Sequence, residues 1–276
     1  MGNIFILLIL MLFMTVNIFA GMPPVRYWTP DGTDAIVQSI PKRAEPKIIP
    51  ILYHNIVYGR TGNVYNRDIY NFEQDLKFFK KNFTIITFDD LISITEGTVE
   101  LNTDAVIITF DDGDLSMYAI VYPLLVEYDI PATFFIVPSF VGKVGYMSWE
   151  QIRAMEGYRN KNGKKLFTFE SHSLTHAPLG ELSYTQILYE LVESKRIIEQ
   201  ETLQPVSVIA LPYGSGAQSD QVRKAVQHSG YRMIRTSFPS AISPDSIDLY
   251  NLSAFNVESY STDTLIKNIQ QILKRR

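Results

Sequence analysis

The chain has 276 residues, of which 46% are hydrophobic, and it contains no cysteine. This length is sufficient for one sizeable hydrophobic core, and the lack of cysteine excludes disulfides, thiolate metal sites and a cysteine nucleophile. The formal net charge is −4, with acidic and basic residues intermixed along the chain. Such a chain does not have the basic surface that nucleic-acid binding requires, so no nucleic-acid partner is expected.

The N-terminal segment is almost entirely apolar from Ile4 to Gly21 and ends on the small residues Ala20 and Gly21. It is short for a membrane span, and this pattern predicts a signal peptide over residues 1–20. An uncleaved N-terminal anchor is the alternative, because no Lys or Arg precedes the apolar run. Under both interpretations we expect the remainder of the chain to be secreted, periplasmic or at the cell surface. It would contact a membrane only through an uncleaved N-terminal segment.

Residues 21–46 contain several prolines and little periodicity, which indicates a linker or irregular lead-in. Over residues 47–276, strand-like and helix-like segments alternate. The predicted strands span 47–54, 83–88, 104–110, 131–137, 166–172, 206–214 and 231–236. The predicted helices span 71–82, 89–97, 117–128, 148–156, 183–202, 220–230 and 262–276. This alternation predicts an α/β domain of about seven parallel strands with crossover helices, and the number of repeated units favours a barrel.

The phrase ITFDD occurs twice, at residues 86–90 and again at 108–112. In the first copy, the residues after the two acids continue at helical spacing. Asp89 or Asp90 therefore lies where a helix N-cap is expected, and this capping role is a sufficient reason for an acid there. We interpret the first copy as structural.

The second copy, Asp111 and Asp112, follows a more apolar strand and is followed by Gly113. Parallel α/β folds build their sites where strands end, and a turn at Gly113 would let both carboxylates reach one cavity. Two carboxylates in one apolar cavity repel each other unless a cation is present. The second copy therefore predicts a metal site, which needs further ligands.

The chain has only four histidines, and two of them, His172 and His176, are four residues apart just after a predicted strand. Such a pair can meet on one side of a helical turn and bind one ion. Together with Asp112, these histidines predict a site with two imidazoles, one carboxylate and open positions for water and substrate. This ligand set suits Zn²⁺ best, with Co²⁺, Ni²⁺ and Fe²⁺ as alternatives.

Three motifs in this order, TFDDG (109–113), SHSLTH (171–176) and LPYG (211–214), resemble the polysaccharide deacetylases of carbohydrate esterase family 4. The resemblance covers about residues 47–276. It implies a distorted (β/α) barrel that removes N- or O-acetyl groups from sugars with the help of a metal ion.

The resemblance also implies residue roles. Asp111 would be the general base, and Asp112, His172 and His176 would be the metal ligands. The backbone N–H of Tyr213 would contribute to an oxyanion hole, and Pro212 and Tyr213 would contact the substrate.

The chain departs from the family pattern at three points. Ala210 stands where most members carry an arginine that orients the base, and no tryptophan follows Gly214. Most members also end with a Leu-x-His motif whose histidine is the general acid, whereas the last histidine here is His228. That residue lies in the last turn of a predicted helix, where it would favourably meet the helix dipole, so we interpret it as structural.

The segment LYH at residues 52–54 resembles one branch of the family, which carries its acid histidine at the start of the domain. This branch includes the deacetylases of poly-β-1,6-N-acetylglucosamine. By this resemblance, His54 is the predicted general acid. A first and a last strand are neighbours in a barrel, so either can deliver an imidazole to the same cavity.

The resulting hypothesis is a metal-dependent N-deacetylase that acts on an N-acetylglucosamine polymer of the poly-β-1,6 type. Alternatives within the family are a deacetylase of peptidoglycan or chitin-like oligomers, and an esterase that removes O-acetyl groups from xylan. A catalytically silent carbohydrate-binding protein on the same barrel is the alternative from another class, which the missing arginine keeps open.

Overall fold

The computed structural model describes residues 38–59 and 61–274. The predicted signal peptide or anchor, residues 1–20, and the lead-in up to residue 37 lie outside the described residues. Within the described ranges, no helix combines the length and the apolar character that a membrane span requires.

Eight parallel strands form the main sheet. Seven of them follow one another in the order β10-β1-β5-β6-β7-β8-β9, and β4 pairs with the first residues of β5. A separate parallel pair is formed by β2 and β3. The strands are β1 (Ile48–Tyr53), β2 (Asn55–Val57), β3 (Asn66–Asp68), β4 (Thr84–Ile85), β5 (Ala105–Phe110), β6 (Ala132–Ile136), β7 (Phe167–Ser171), β8 (Val208–Ala210), β9 (Met233–Arg235) and β10 (Phe255–Asn256).

Helices connect the strands and cover the sheet. They are α1 (Ile69–Asn82), α2 (Phe88–Thr95), α3 (Tyr122–Tyr128), α4 (Trp149–Glu156), α5 (Tyr184–Thr202), α6 (Asp220–His228) and α7 (Thr262–Lys274). One π-helical turn, Met117–Val121, leads into α3, and short 3₁₀ turns occupy Leu179–Glu181, Pro212–Gly214 and Pro244–Ser246.

The central strands are buried along their whole length, which explains why their sequences are continuous apolar runs instead of alternating ones. Every residue of β1, β5 and β6 is buried. The two ends of the sheet approach each other, because Arg235 of β9 forms an isolated parallel bridge with Leu252, three residues before β10. The sheet is thus a curled half-barrel, which confirms the predicted parallel barrel-type fold, and β1 and β10 are neighbours within it.

The first ITFDD copy departs from the prediction. The predicted strand over 83–88 is reduced to Thr84–Ile85, and the N-cap of α2 is Thr87, so the prediction of Asp89 or Asp90 as N-cap is wrong. The Thr87 hydroxyl accepts from the Asp90 N–H at 3.1 Å, and the Asp90 carboxylate accepts from the Thr87 N–H at 2.8 Å. This reciprocal pair is a capping box, in which Asp90 takes the third helical position.

The described part of the lead-in, residues 38–46, contains no helix or strand but is attached to the domain. The Ile40 N–H donates to the Asn82 side chain at 2.8 Å, and Arg43 donates to the carbonyl of Leu273. Lys47 continues this attachment with a backbone N–H bond of 2.8 Å to Asp104. These contacts fasten the chain entering β1 to helices α1 and α7 and to the residue before β5.

Candidate active site

A cavity of about 670 Å³ opens at the carboxyl ends of the strands. In parallel α/β folds, this edge collects the loops that follow the strands, and it is where sites form. Most of the residues that the sequence singled out line this cavity: His54, Asp111, Asp112, His172, His176 and Tyr213. Arg235, which the sequence did not single out, lines it as well.

The two carboxylates of the second ITFDD copy follow β5. Asp111 is 2% exposed, and its N–H bonds to the Tyr53 carbonyl at 2.9 Å, which prolongs the pairing of β1 with β5. Asp112 has a φ of 75° and Gly113 one of 83°. The left-handed turn therefore begins at Asp112 itself, where a non-glycine residue is strained, and such strain is typical of functional sites.

The two histidines lie on a loop after β7, so the expectation that they meet on a helical turn is wrong. Ser173 and His176 have φ values of 61° and 64°, which no helix accommodates. Helix α5 holds this loop, because the buried Glu190 carboxylate accepts from the Thr175 N–H at 2.9 Å and its hydroxyl at 2.7 Å. The imidazole centroids of His172 and His176 are 4.9 Å apart.

Asp112, His172 and His176 offer one ligand atom each, and these atoms lie within 4.8 Å of one another. The Asp112 Oδ1 atom is 3.2 Å from His176 Nε2 and 3.4 Å from His172 Nε2. Both histidines have an outer partner that orients the ring. His172 Nδ1 is 2.9 Å from the carbonyl of Ala210, and His176 Nδ1 is 3.0 Å from the hydroxyl of Tyr213. Outer partners of this kind are typical of metal-binding histidines, so the donor set fits one divalent ion.

The electrostatics of this cluster favour a cation. Burial opposes ionisation of Asp112, but hydrogen bonds from His172 and His176 hold the pKa of this carboxyl well below its usual value. Burial alone would lower the pKa of His172, but the carboxylates of Asp111 and Asp112 outweigh it and raise that pKa. Protons and a metal ion compete for these side chains, so metal affinity is expected to fall as the pH falls.

Arg235 is the site residue that the sequence reasoning missed. It is 1% exposed, its guanidinium contacts both Asp111 oxygens, with Nη2 at 2.5 Å from Oδ2, and it lies over the Phe135 ring. In the register of β8 and β9, Arg235 pairs directly with Ala210. The arginine that is absent at Ala210 is thus provided by the adjacent strand. The second of the two arginines in the run YRMIRT, Arg235, was the available signal.

His54 lies at the end of β1 and lines the same cavity as the two aspartates. His54 directly follows Tyr53, and Asp111 directly follows Phe110. Because Tyr53 and Phe110 pair across the sheet, His54 and Asp111 occupy equivalent positions after two adjacent strands. The His54 ring is 4.8 Å from that of Tyr65, and its Nδ1 is buried without a hydrogen-bond partner among the described residues. Burial lowers the pKa of His54, although the nearby carboxylates act in the opposite direction.

The remaining predicted residues occupy different environments. Tyr213 has a φ of 58°, lines the cavity and is 74% exposed. Pro212 is buried and does not belong to the described cavity lining. His228 is the exposed last residue of α6, where Nδ1 is 2.5 Å from the hydroxyl of Tyr184. It lies outside the cavity lining, as do both acids of the first ITFDD copy.

Comparison with known proteins places this site in a family. The sequence profile of the family described as "Polysaccharide deacetylase" matches residues 98–234. The YxkH protein of Bacillus subtilis (strain 168), classed by its name with the polysaccharide deacetylases, is 28% identical over 206 residues, covering 74% of this chain and 70% of its own. The poly-β-1,6-N-acetyl-D-glucosamine N-deacetylase of Staphylococcus aureus (strain MSSA476) is 28% identical over 153 residues. This alignment covers 52% of the chain and about half, 51%, of that protein.

Solved structures show the same fold. The Streptococcus pyogenes deacetylase PplD superposes with a TM-score of 0.70 at 20% identity, covering 84% of this chain and 100% of that one. IcaB from Ammonifex degensii gives a TM-score of 0.69 at 20% identity, covering 83% of this chain and 98% of that one. The chain therefore contains a polysaccharide deacetylase domain, of the hydrolases grouped as carbohydrate esterase family 4.

Proposed function

We propose that this protein is a metal-dependent N-deacetylase of an N-acetylglucosamine polymer, and that it acts outside the cytoplasm. One observation carries the proposal: Asp112, His172 and His176 converge beside an arginine-bound Asp111 in a single cavity. A carboxylate that is not a ligand, held next to a metal site, is the arrangement that hydrolysis of an unactivated amide requires.

Each residue of the site has a distinct role in the proposed reaction. A bound divalent ion would polarise the acetyl carbonyl and acidify water. Asp111 accepts a proton from the attacking water, and the Arg235 guanidinium holds this carboxylate in its orientation. The backbone N–H of Tyr213 donates to the oxyanion of the tetrahedral intermediate. His54 donates a proton to the leaving nitrogen, since an amide nitrogen departs poorly as an anion.

Arg235 argues against the catalytically silent alternative. That alternative depended on the absence of an arginine beside the base, and the geometry supplies one from β9. A buried ion pair at a cavity costs desolvation, and it is weak evidence for a purely structural role. The pair is better accounted for by a carboxylate that must be held in a fixed orientation beside the metal ligands.

The charges of the cavity favour a polymer without acidic groups. Among the described lining residues, Arg235 is the only lysine or arginine, and it is bound to Asp111. A uronic acid or phosphate on the sugar would find no free basic partner there. The similarity to the staphylococcal protein supports a β-1,6-linked N-acetylglucosamine polymer as the substrate, and chitin-like oligomers are the next candidate.

Acetate release from a panel of substrates tests this function. We expect the metal-loaded protein to release acetate from β-1,6-linked N-acetylglucosamine oligomers faster than from chitin oligomers, peptidoglycan or acetylated xylan. Asp111→Asn is the matched control, because it removes the base and leaves the three ligands in place. Acetate release from none of these polymers, or equal release by Asp111→Asn, would contradict the proposal.

A further inference from the structure

One wall of the cavity has no role in the chemistry just described. It is formed by β10, the segment that leads into α7 and α7 itself, and its lining residues are Phe255, Asn256, Glu258, Tyr260 and Asn268. We call these residues the β10 wall. Because β10 pairs with β1, the β10 wall lies alongside β1, which His54 directly follows. A polymer whose acetamido group reaches the metal ligands would therefore lie beside the β10 wall.

A buried ion pair fixes the β10 wall in place. Arg67 is 1% exposed and donates to the carbonyls of Glu258, at 3.2 Å, and Tyr260. Its guanidinium is held by Asp75 through bonds of 2.8 and 2.6 Å, and Asp75 also accepts from Thr262 at 2.7 Å. Backbone that is hydrogen-bonded to a buried charged group loses little further conformational entropy when a ligand binds. The β10 wall is therefore a preorganised surface.

The β10 wall presents acceptors. The Asn256 Oδ1 atom is buried without a hydrogen-bond partner among the described residues. Glu258 is exposed, lines the cavity and forms no ion pair with another described residue. Its carboxylate can only accept hydrogen bonds when ionised. The ligand that complements such a surface carries several donors and a positive charge, which describes an ammonium group.

We propose that the β10 wall binds the ammonium group of a glucosamine unit next to the N-acetylglucosamine that is being hydrolysed. This inference rests on the proposed function, since deacetylation itself creates that ammonium group. A unit that has already been processed then improves binding of the chain for the next reaction. The consequence is that acetyl groups are removed in runs along the polymer instead of at random.

Paired substrates test this inference. One is a fully acetylated β-1,6-linked N-acetylglucosamine pentamer, and the other is the same pentamer with one internal glucosamine. We expect kcat/KM of the wild-type protein to be roughly threefold to tenfold higher for the glucosamine-containing pentamer, as one charge-assisted contact allows. Glu258→Gln should bring this ratio close to one, because it removes the negative charge that would pair with the ammonium group. Glu100→Gln, at an exposed glutamate outside the cavity lining, should keep the wild-type ratio.

Two results would overturn the inference alone: equal kcat/KM for both pentamers in the wild type, or a Glu258→Gln variant that keeps the wild-type ratio. Equal loss of rate on both pentamers in Glu258→Gln would also overturn it, since the residue would then support the site in general. Lack of acetate release from either pentamer would overturn the proposed function, and this inference with it.

Discussion

Arg235 and Asp111 form a buried ion pair between two strands that are not neighbours. They are 124 positions apart in the chain, and β6, β7 and β8 lie between β5 and β9 in the sheet. The contact can form only because the sheet curls until the ends of β5 and β9 face each other. The base of the proposed reaction is thus held by the curvature of the fold.

We expect Arg235→Ala to lower kcat strongly, because Asp111 loses the guanidinium that orients it. Metal content should stay at the wild-type level, because the three metal ligands are unchanged. Removing one partner of a buried ion pair typically costs about 3–5 kcal/mol, so folding must be verified by circular dichroism first. The matched test adds Ala210→Arg to this variant, because residues 210 and 235 are paired in register. Partial recovery of acetate release is expected. An Arg235→Ala protein with full activity would show that Asp111 needs no arginine.

The metal ligands and the base should separate experimentally. We expect His172→Ala and Asp112→Asn to lose both bound metal and acetate release, because each removes one of three ligands. Asp111→Asn should retain metal and lose only the rate. Metal content by mass spectrometry of the purified variants distinguishes the two classes. The control is Asp90→Asn, which removes a capping partner and should cost about 1 kcal/mol of stability with turnover unchanged.

If His54 is the general acid, the loss of rate in a His54 variant should depend on the leaving group. On N-acetylglucosamine oligomers, His54→Ala should lose roughly 10²–10⁴-fold in rate, the usual contribution of general acid catalysis. An activated aryl acetate expels a stable phenolate that needs no proton, so the loss there should be much smaller. His228→Ala should behave as wild type on both substrates. The reverse result, with His228 essential and His54 dispensable, would show that the acid is misassigned.

The buried Glu170 gives a prediction about stability. Its carboxyl accepts from the N–H groups of Ser207 and Val208, both at 2.8 Å, and burial raises its pKa from 4.5 to about 8. Between these two values the folded protein holds a proton that the unfolded chain has lost. The stabilisation is therefore complete below pH 4.5 and is lost as the pH rises towards 8.

Urea unfolding at a series of pH values tests this assignment. We expect the wild-type free energy of unfolding to fall between about pH 5 and 8 by more than that of Glu170→Gln, which cannot ionise. An identical pH dependence in both proteins would show that Glu170 does not titrate in this range.

Much of the fold followed from the sequence, because buried parallel strands read as apolar runs such as IIPILY and AVIITF. Some short strands followed less well. The two-residue β10 was not predicted, and the strand predicted over 83–88 is shortened to Thr84–Ile85, because Thr87 caps a helix instead of extending the strand. The two aspartates and three histidines that line the cavity were all visible as motifs. Arg235 was not, since its partner is 124 positions away and only the curl of the sheet brings the ends of β5 and β9 together.

A divalent ion held by Asp112, His172 and His176 is proposed to drive amide hydrolysis. Chelation of the purified protein followed by stepwise addition of Zn²⁺, with acetate release from β-1,6-linked N-acetylglucosamine oligomers as the readout, tests it most directly. We predict that activity disappears on chelation and returns in full at one equivalent of metal, and that His176→Ala shows no such return. Undiminished acetate release from the metal-free protein would contradict the claim.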